Sequence, residues 1–302
     1  MIGGMLGFEW RYQARQVTFA AAAPGFLLMG IGLVASGYGP RSLNVNSPYV
    51  IVQAMGLLSI PAIFLLTIFC TGAVVRDTEH RMGEIVFATR MGKTRYLLAR
   101  FGGALLVSGA VFCMAAIGLA LGPSIVVVEA ERLGRTDIGA YLWALLVIGL
   151  PNLVVIGSFV FAVAALTRST LASYVGGVFL YAAYFLCAIL AGSPLVASAA
   201  PTTAEALARG ALLDPFGLTA VAEQTRLWTA DAREVRHLSL SGRLLANRVL
   251  WLAVSAAVLA LVHRRFRLRV DPRRPRASRR PVEAEAAVDA PPYAPVAVGG
   301  RG

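Results

Sequence analysis

Charge is scarce in this sequence, and lysine is almost missing. Of 302 residues, 15% are Asp, Glu, Lys or Arg, where soluble domains carry roughly 25%. Lys93 is the sole lysine. Histidine is as sparse: His80, His237 and His263 stand alone, and no HExxH pair or second ligand at zinc spacing accompanies them. Glu84 follows His80 at i+4, but a pair with nothing to complete a metal shell is a surface charge pair. Cys70, Cys113 and Cys187 all lie inside apolar runs, as small packing residues do. No G-x-S-x-G elbow occurs. These absences leave no expected catalytic, cofactor-binding or metal-ligating residue.

One stretch imitates a nucleotide site. Gly92-Lys93-Thr94 ends like a phosphate-binding loop, whose backbone amides cradle phosphates while its lysine reaches the terminal ones. The partner glycine belongs five positions before Gly92, where Phe87 stands. Gly83 comes four residues too early. Phenylalanine cannot take the backbone conformations that glycine supplies there, so ATP binding by this chain is excluded.

What is abundant is apolar. The chain is 57% hydrophobic with a mean hydropathy of +0.68, and its apolar residues come in long blocks. That composition belongs to an integral membrane protein. A spanning helix takes roughly 20 apolar residues, which places six spans near 17–37, 51–75, 101–122, 140–167, 171–192 and 247–263. The first is too long for the apolar core of a signal peptide and reads as a retained span. The fourth carries Pro151 and Asn152 at its centre, which predicts a kink or a broken helix. The sixth is short, and apolar residues upstream can lengthen it. Away from their ends the spans hold no Asp, Glu, Lys or Arg. Proton- or sodium-coupled transporters bury such groups, so energy is expected to enter from outside the membrane.

Net charge is +12, and the short loops explain it. Arg11 and Arg15 precede the first span. Arg76, Arg81, Arg90, Lys93, Arg95 and Arg100 follow the second, Arg168 the fourth, and Arg264, Arg265, Arg267 and Arg269 the sixth. The opposite loops carry Arg41, then Arg132 and Arg135 balanced by Glu129, Glu131 and Asp137. By the positive-inside rule both termini are cytoplasmic, and nucleic acid is not a partner. The arginine, alanine and glycine usage fits a high-GC bacterial genome. Residues 1–16 predict an interfacial helix with Leu6, Trp10, Ala14 and Val17 on its apolar face, and Glu9, Arg11 and Arg15 elsewhere. The outer loop 193–246 predicts two short capped helices, the second with Asp214 as its cap and Pro215 at its first position. The Pro- and Ala-rich tail 269–302 predicts disorder, its basic start lying against anionic lipid.

The loop 76–100, "RDTEHRMGEIVFATRMGKTRYLLAR", joins a mixed-sign surface (Arg76, Asp77, Glu79, Arg81, Glu84) to an apolar strip that includes Met82 and Ile85. A solvated connector has no need of such a strip; a segment that docks into a partner does. Together with "FEWRYQAR", "NSPY" (46–49), "RDTEHRMGE", "LPNLVVIGSFVFAVAALTRS", "DPFG" (214–217) and "NRVLW" (247–251), this pattern resembles the six-span permeases of ABC-2 type exporters. The subgroup most similar is encoded with, or fused to, a zinc aminopeptidase. Over about residues 5–268 the resemblance implies an all-α polytopic membrane protein in the bacterial cytoplasmic (inner) membrane, driven by separate ATP-binding cassette subunits that hold ATP and magnesium. It also implies a second permease subunit, as a homo- or heterodimer, and an ATPase contact at Arg76, Asp77, Glu79, Arg81, Met82, Glu84 and Ile85. Arg90 stands where the family often has proline, and the aminopeptidase half is absent from this sequence. The rival expectations are a non-transporting anchor or regulatory subunit of a membrane complex and an intramembrane enzyme. The latter lacks membrane-embedded acid, base or metal ligands.

Overall fold

An apolar run in lipid must satisfy its own backbone, and a helix does so within one segment. The computed structural model describes residues 2–79, 92–190 and 203–267, and among them there are helices and no strand. The helices are α1 (Ile2–Gln13), α2 (Val17–Ala35), α3 (Pro48–Leu58), α4 (Ala62–Glu79) and α5 (Lys93–Ile125). Next, α6 (Ile138–Ala144) passes through a π-helical turn, Leu145–Gly149, into α7 (Leu150–Thr167). Then come α8 (Thr170–Leu190), the short α9 (Ala204–Leu213), α10 (Leu218–Thr225) and α11 (Ala230–Val235), and finally α12 (Gly242–Arg265). Five helical stretches are long and apolar enough to cross a membrane: α2, α5, α6–α7, α8 and α12. The pair α3–α4 makes a sixth if it counts as one span. Over the described residues the chain is all-helical, and its five or six apolar helical stretches are those of a multi-pass membrane protein. The tail 269–302, expected to be disordered, lies outside the described residues.

The structure sharpens three expectations. The second run, 51–75, is not one straight helix: α3 and α4 bend by 45° at a short break. Pro61 in that break has no N–H to continue the ladder, and Pro48 opens α3 behind the Ser47 cap. The fourth run does not break at Pro151. Its ring displaces the carbonyl four residues earlier, at Val147, and the π-helical turn over Leu145–Gly149 absorbs this, so Ile138–Thr167 stays one span. The sixth begins upstream, at Gly242, which places Arg248 inside it rather than at its edge.

α5 and the α6–α7 span form the centre, their most apolar stretches 50% and 56% buried, against 17–22% for α2, α8 and α12. The outer helices turn Leu28, Phe179 and Val249 outward, which suits lipid and not water. α2 crosses α5 at near backbone contact: a Cβ on Gly30 would sit 2.3 Å from the Ala115 carbonyl oxygen, and one on Gly118 2.2 Å from that of Leu27. Only glycine permits this approach, as small residues do at membrane helix crossings.

The two ends of the bundle are tied differently. At one, Thr94 Oγ1 lies 2.9 Å from His263 Nε2, Tyr96 stacks on Phe266, and Arg168 covers the same ring. At the other, Val45 N–H donates to the Arg132 carbonyl, Asn46 to that of Gly134, and His237 pairs with Asp137 at 2.7 Å. Glu234 accepts from both the backbone N–H and the side chain of Asn44, at 2.9 and 2.7 Å.

The loop before α12 holds both expected short helices and a third, α11. Thr203 caps α9 as its sequence implies. Asp214 does not occupy the cap position of α10, which Gly217 takes at φ 75°, and Pro215 is not helical. Asp214 nevertheless supplies the capping carboxylate from three residues upstream. It accepts from Phe216 N–H at 2.9 Å and from the N–H and hydroxyl of Thr219 at 2.7 and 2.9 Å.

Candidate functional site: two buried polar centres

The first centre joins α1 to the two helices that flank residues 80–91. Glu9 is 1% exposed. Its Oε1 accepts from Arg76 Nη2 at 2.7 Å and also from Arg100 Nη1, while its Oε2 accepts from Gln13 Nε2 at 3.0 Å. The Arg76 guanidinium lies 4.0 Å over the Tyr12 ring and 5.8 Å over Phe8, a cation–π arrangement in which the face of each ring offsets the charge. Gly103 lets α1 settle onto α5, since a Cβ there would come within 2.5 Å of Glu9 Cβ. One carboxylate thus holds two guanidiniums, from the last turns of α4 and the first turns of α5.

This differs from the expected polar placement of Glu9, which is buried against α4 and α5. Leu6 does face α5, reaching Gly102. Trp10 is 39% exposed, however, and Val17 belongs to α2 and is 83% exposed. The buried face carries Glu9 and Gln13, and two arginines compensate the Glu9 charge. The signal was present as Glu9 and Gln13 four residues apart on one helical face. Nothing local, though, says that Arg76 and Arg100 are waiting 67 and 91 positions away.

The second centre is deeper. Arg248 is 4% exposed, and its Nε and Nη2 donate to Asn247 Oδ1 at 3.1 and 2.6 Å. Nη1 donates to Asn152 Oδ1 at 2.8 Å, and Nη2 also to the Pro215 carbonyl at 3.3 Å. Asn152 donates onward to Ser59 Oγ at 3.1 Å and to the Phe216 carbonyl at 3.3 Å. The Asn247 amide donates to the carbonyls of Ala211, Leu212 and Asp214, closing the end of α9. At a rise of about 1.5 Å per residue, Asn152 sits about 22 Å from the Thr167 end of its span and Arg248 about 26 Å from the Arg265 end. Arg248 is about 9 Å along the helix from the start of α12 at Gly242.

Three separate sequence motifs therefore meet at one point: the asparagine of "LPNLV", the carbonyls of "DPFG" and the first two residues of "NRVLW". Sequence reasoning placed Arg248 at a span boundary and gave no sign of its burial, since its partners come from other helices.

Of the seven residues expected to meet an ATPase, Arg76 is committed to Glu9 and the α1 aromatics, with 12% of its side chain exposed. Asp77 and Glu79 continue α4. Arg81, Met82, Glu84 and Ile85 lie outside the described residues. Lys93 opens α5, and Thr94, which in a phosphate loop would serve a metal, is bonded to His263. Among the described residues no three His, Cys, Asp or Glu side chains gather as a metal set. Neither centre presents a nucleophile beside a base. What both do is fasten helices that are distant in sequence. Compared with protein-family models and with curated proteins, the chain matches none.

Proposed function

We propose that the chain is the membrane-spanning permease subunit of an ATP-binding cassette exporter in a bacterial cytoplasmic membrane. Separate subunits hydrolyse ATP and press on the segment 76–100. The observation that carries this is the Glu9 bridge. Arg76 and Arg100 bracket residues 80–91, and one buried carboxylate oxygen accepts from both. A push on that segment therefore reaches α1, α4 and α5 together instead of being lost in a loose loop. A stroke of this kind shifts the spans only through contacts that differ between their two arrangements.

The apolar spans suit an amphiphilic or lipid-like cargo, and a second permease subunit would complete the path. The exposed aromatic and arginine face of α1, with Phe8, Trp10, Tyr12, Arg11 and Arg15, suits the membrane surface.

The test is a photo-reactive residue at position 84 in native membranes. It should join the chain to a polypeptide that itself labels with azido-ATP. Adducts to lipid alone, or to this chain alone, would remove the proposed ATPase contact.

A further inference from the structure

Three backbone irregularities border the Arg248 centre, and a fourth opens the helix that carries it. Ser59 lies in the break between α3 and α4, the π-helical turn ends two residues before Pro151, and Gly217 and Gly242 take positive φ at the starts of α10 and α12. Each is a place where a helix can redirect without breaking a regular ladder. The bonds of Arg248 and Asn152 reach Ser59 in the first junction and Pro215 and Phe216, just before Gly217, in the third. They tie the α9–α10 segment to α7 and α12 through side chains and carbonyls.

One group beside the centre is left over. Tyr184, on α8, is 7% exposed, and its hydroxyl has no hydrogen-bond partner among the described residues. Its ring stands edge-on to Phe216, with centroids 4.3 Å apart, and the Phe216 amide is held by the Asp214 carboxylate at 2.9 Å. Both Asp214 oxygens are used by the start of α10, yet a carboxylate has about four acceptor positions, so each oxygen can take another donor. A buried hydroxyl without a partner is unfavourable, and the Tyr184 ring packs against the segment that Arg248 holds, which carries the Asp214 carboxylate.

We propose that the Arg248 centre is a two-position latch. In the described position, Arg248 and Asn152 hold the Pro215 and Phe216 carbonyls. In the other, the α9–α10 segment shifts towards α8 and Tyr184 donates to Asp214. The shift would proceed at the junctions named above and leave the Glu9 centre at the far end undisturbed. This inference does not depend on the transport proposal.

The experiment is hydrogen–deuterium exchange on the full chain in lipid nanodiscs, read on peptides covering 204–225. Tyr184→Phe keeps the ring against Phe216 and deletes the hydroxyl that favours the second position, so exchange there should slow by about tenfold. Arg248→Gln should speed it by about tenfold or more, with peptides from α1 and α5 unchanged. Unchanged or faster exchange in Tyr184→Phe would overturn the latch, since the hydroxyl would then already be satisfied, by water for instance. A change spread evenly over the whole chain would overturn it too. Should Arg248→Gln fail to fold, the near-isosteric Tyr184→Phe decides the matter alone.

Discussion

Glu9 and Arg76 stand 67 positions apart in sequence and 2.7 Å apart in space, with the carboxylate 1% exposed. Arg100 shares the same oxygen. Removing one member of a buried charge set leaves the others uncompensated in a poor dielectric, which costs more than the set itself contributes. Glu9→Ala should therefore destabilise the chain by about 3–5 kcal/mol, and Glu9→Gln by less, because an amide oxygen still accepts one bond. Unfolding in mild detergent would measure both. Equal, negligible losses would mean that α1 is not held through this carboxylate.

The α2–α5 crossing gives a second expectation. Gly118→Ala places a Cβ against the Leu27 carbonyl oxygen, which is backbone and cannot rotate aside. The helices must separate, at a cost of about 1–3 kcal/mol. Gly25, with open space around its position, is the control, and Gly25→Ala should be close to neutral by the same unfolding assay.

Asp214 supplies a third. Asp214→Ala removes the acceptor for the amides of Phe216 and Thr219, and loss of a cap of this kind costs about 0.5–2 kcal/mol. Amide exchange should quicken over 216–222 while α11 keeps its own protection. Unchanged protection at 216–222 would show that the carboxylate does not hold the start of α10.

Sidedness is a fourth. Single cysteines placed at 44 and 230 should react with an impermeant thiol reagent from outside the cell, and those at 12 and 95 only after permeabilisation, as the arginines of the short loops require. The native cysteines would first be replaced by alanine. External labelling at 95 would invert the orientation.

Much of the architecture was legible because bilayer thickness turns apolar run length directly into helices; 17–37, 101–122 and 171–192 needed nothing more. The break at Ser59–Pro61 carried a signal in its proline, but hydropathy averages across it. Pro151 carried the opposite risk: proline alone predicts a kink, and whether a π-helical turn absorbs it depends on neighbours packed against that turn, Phe112 and Met55 beside Gly149 among them. The polar centres were the least legible. Glu9 looked like the solvated side of an amphipathic helix, and Arg248 like a boundary charge. Both are buried because their partners arrive from 67 to 96 positions away, which no local pattern records.

ATP use by the chain and by its complex tests the central claim most directly. Equilibrium binding of labelled ATP should be absent from the isolated chain, because Phe87 stands at the glycine position and Thr94 is bonded to His263. ATP hydrolysis should appear in the complex purified from native membranes, and should survive Lys93→Ala. Saturable ATP binding by the isolated chain, abolished by Lys93→Ala, would contradict the account, as would a native complex that hydrolyses no ATP.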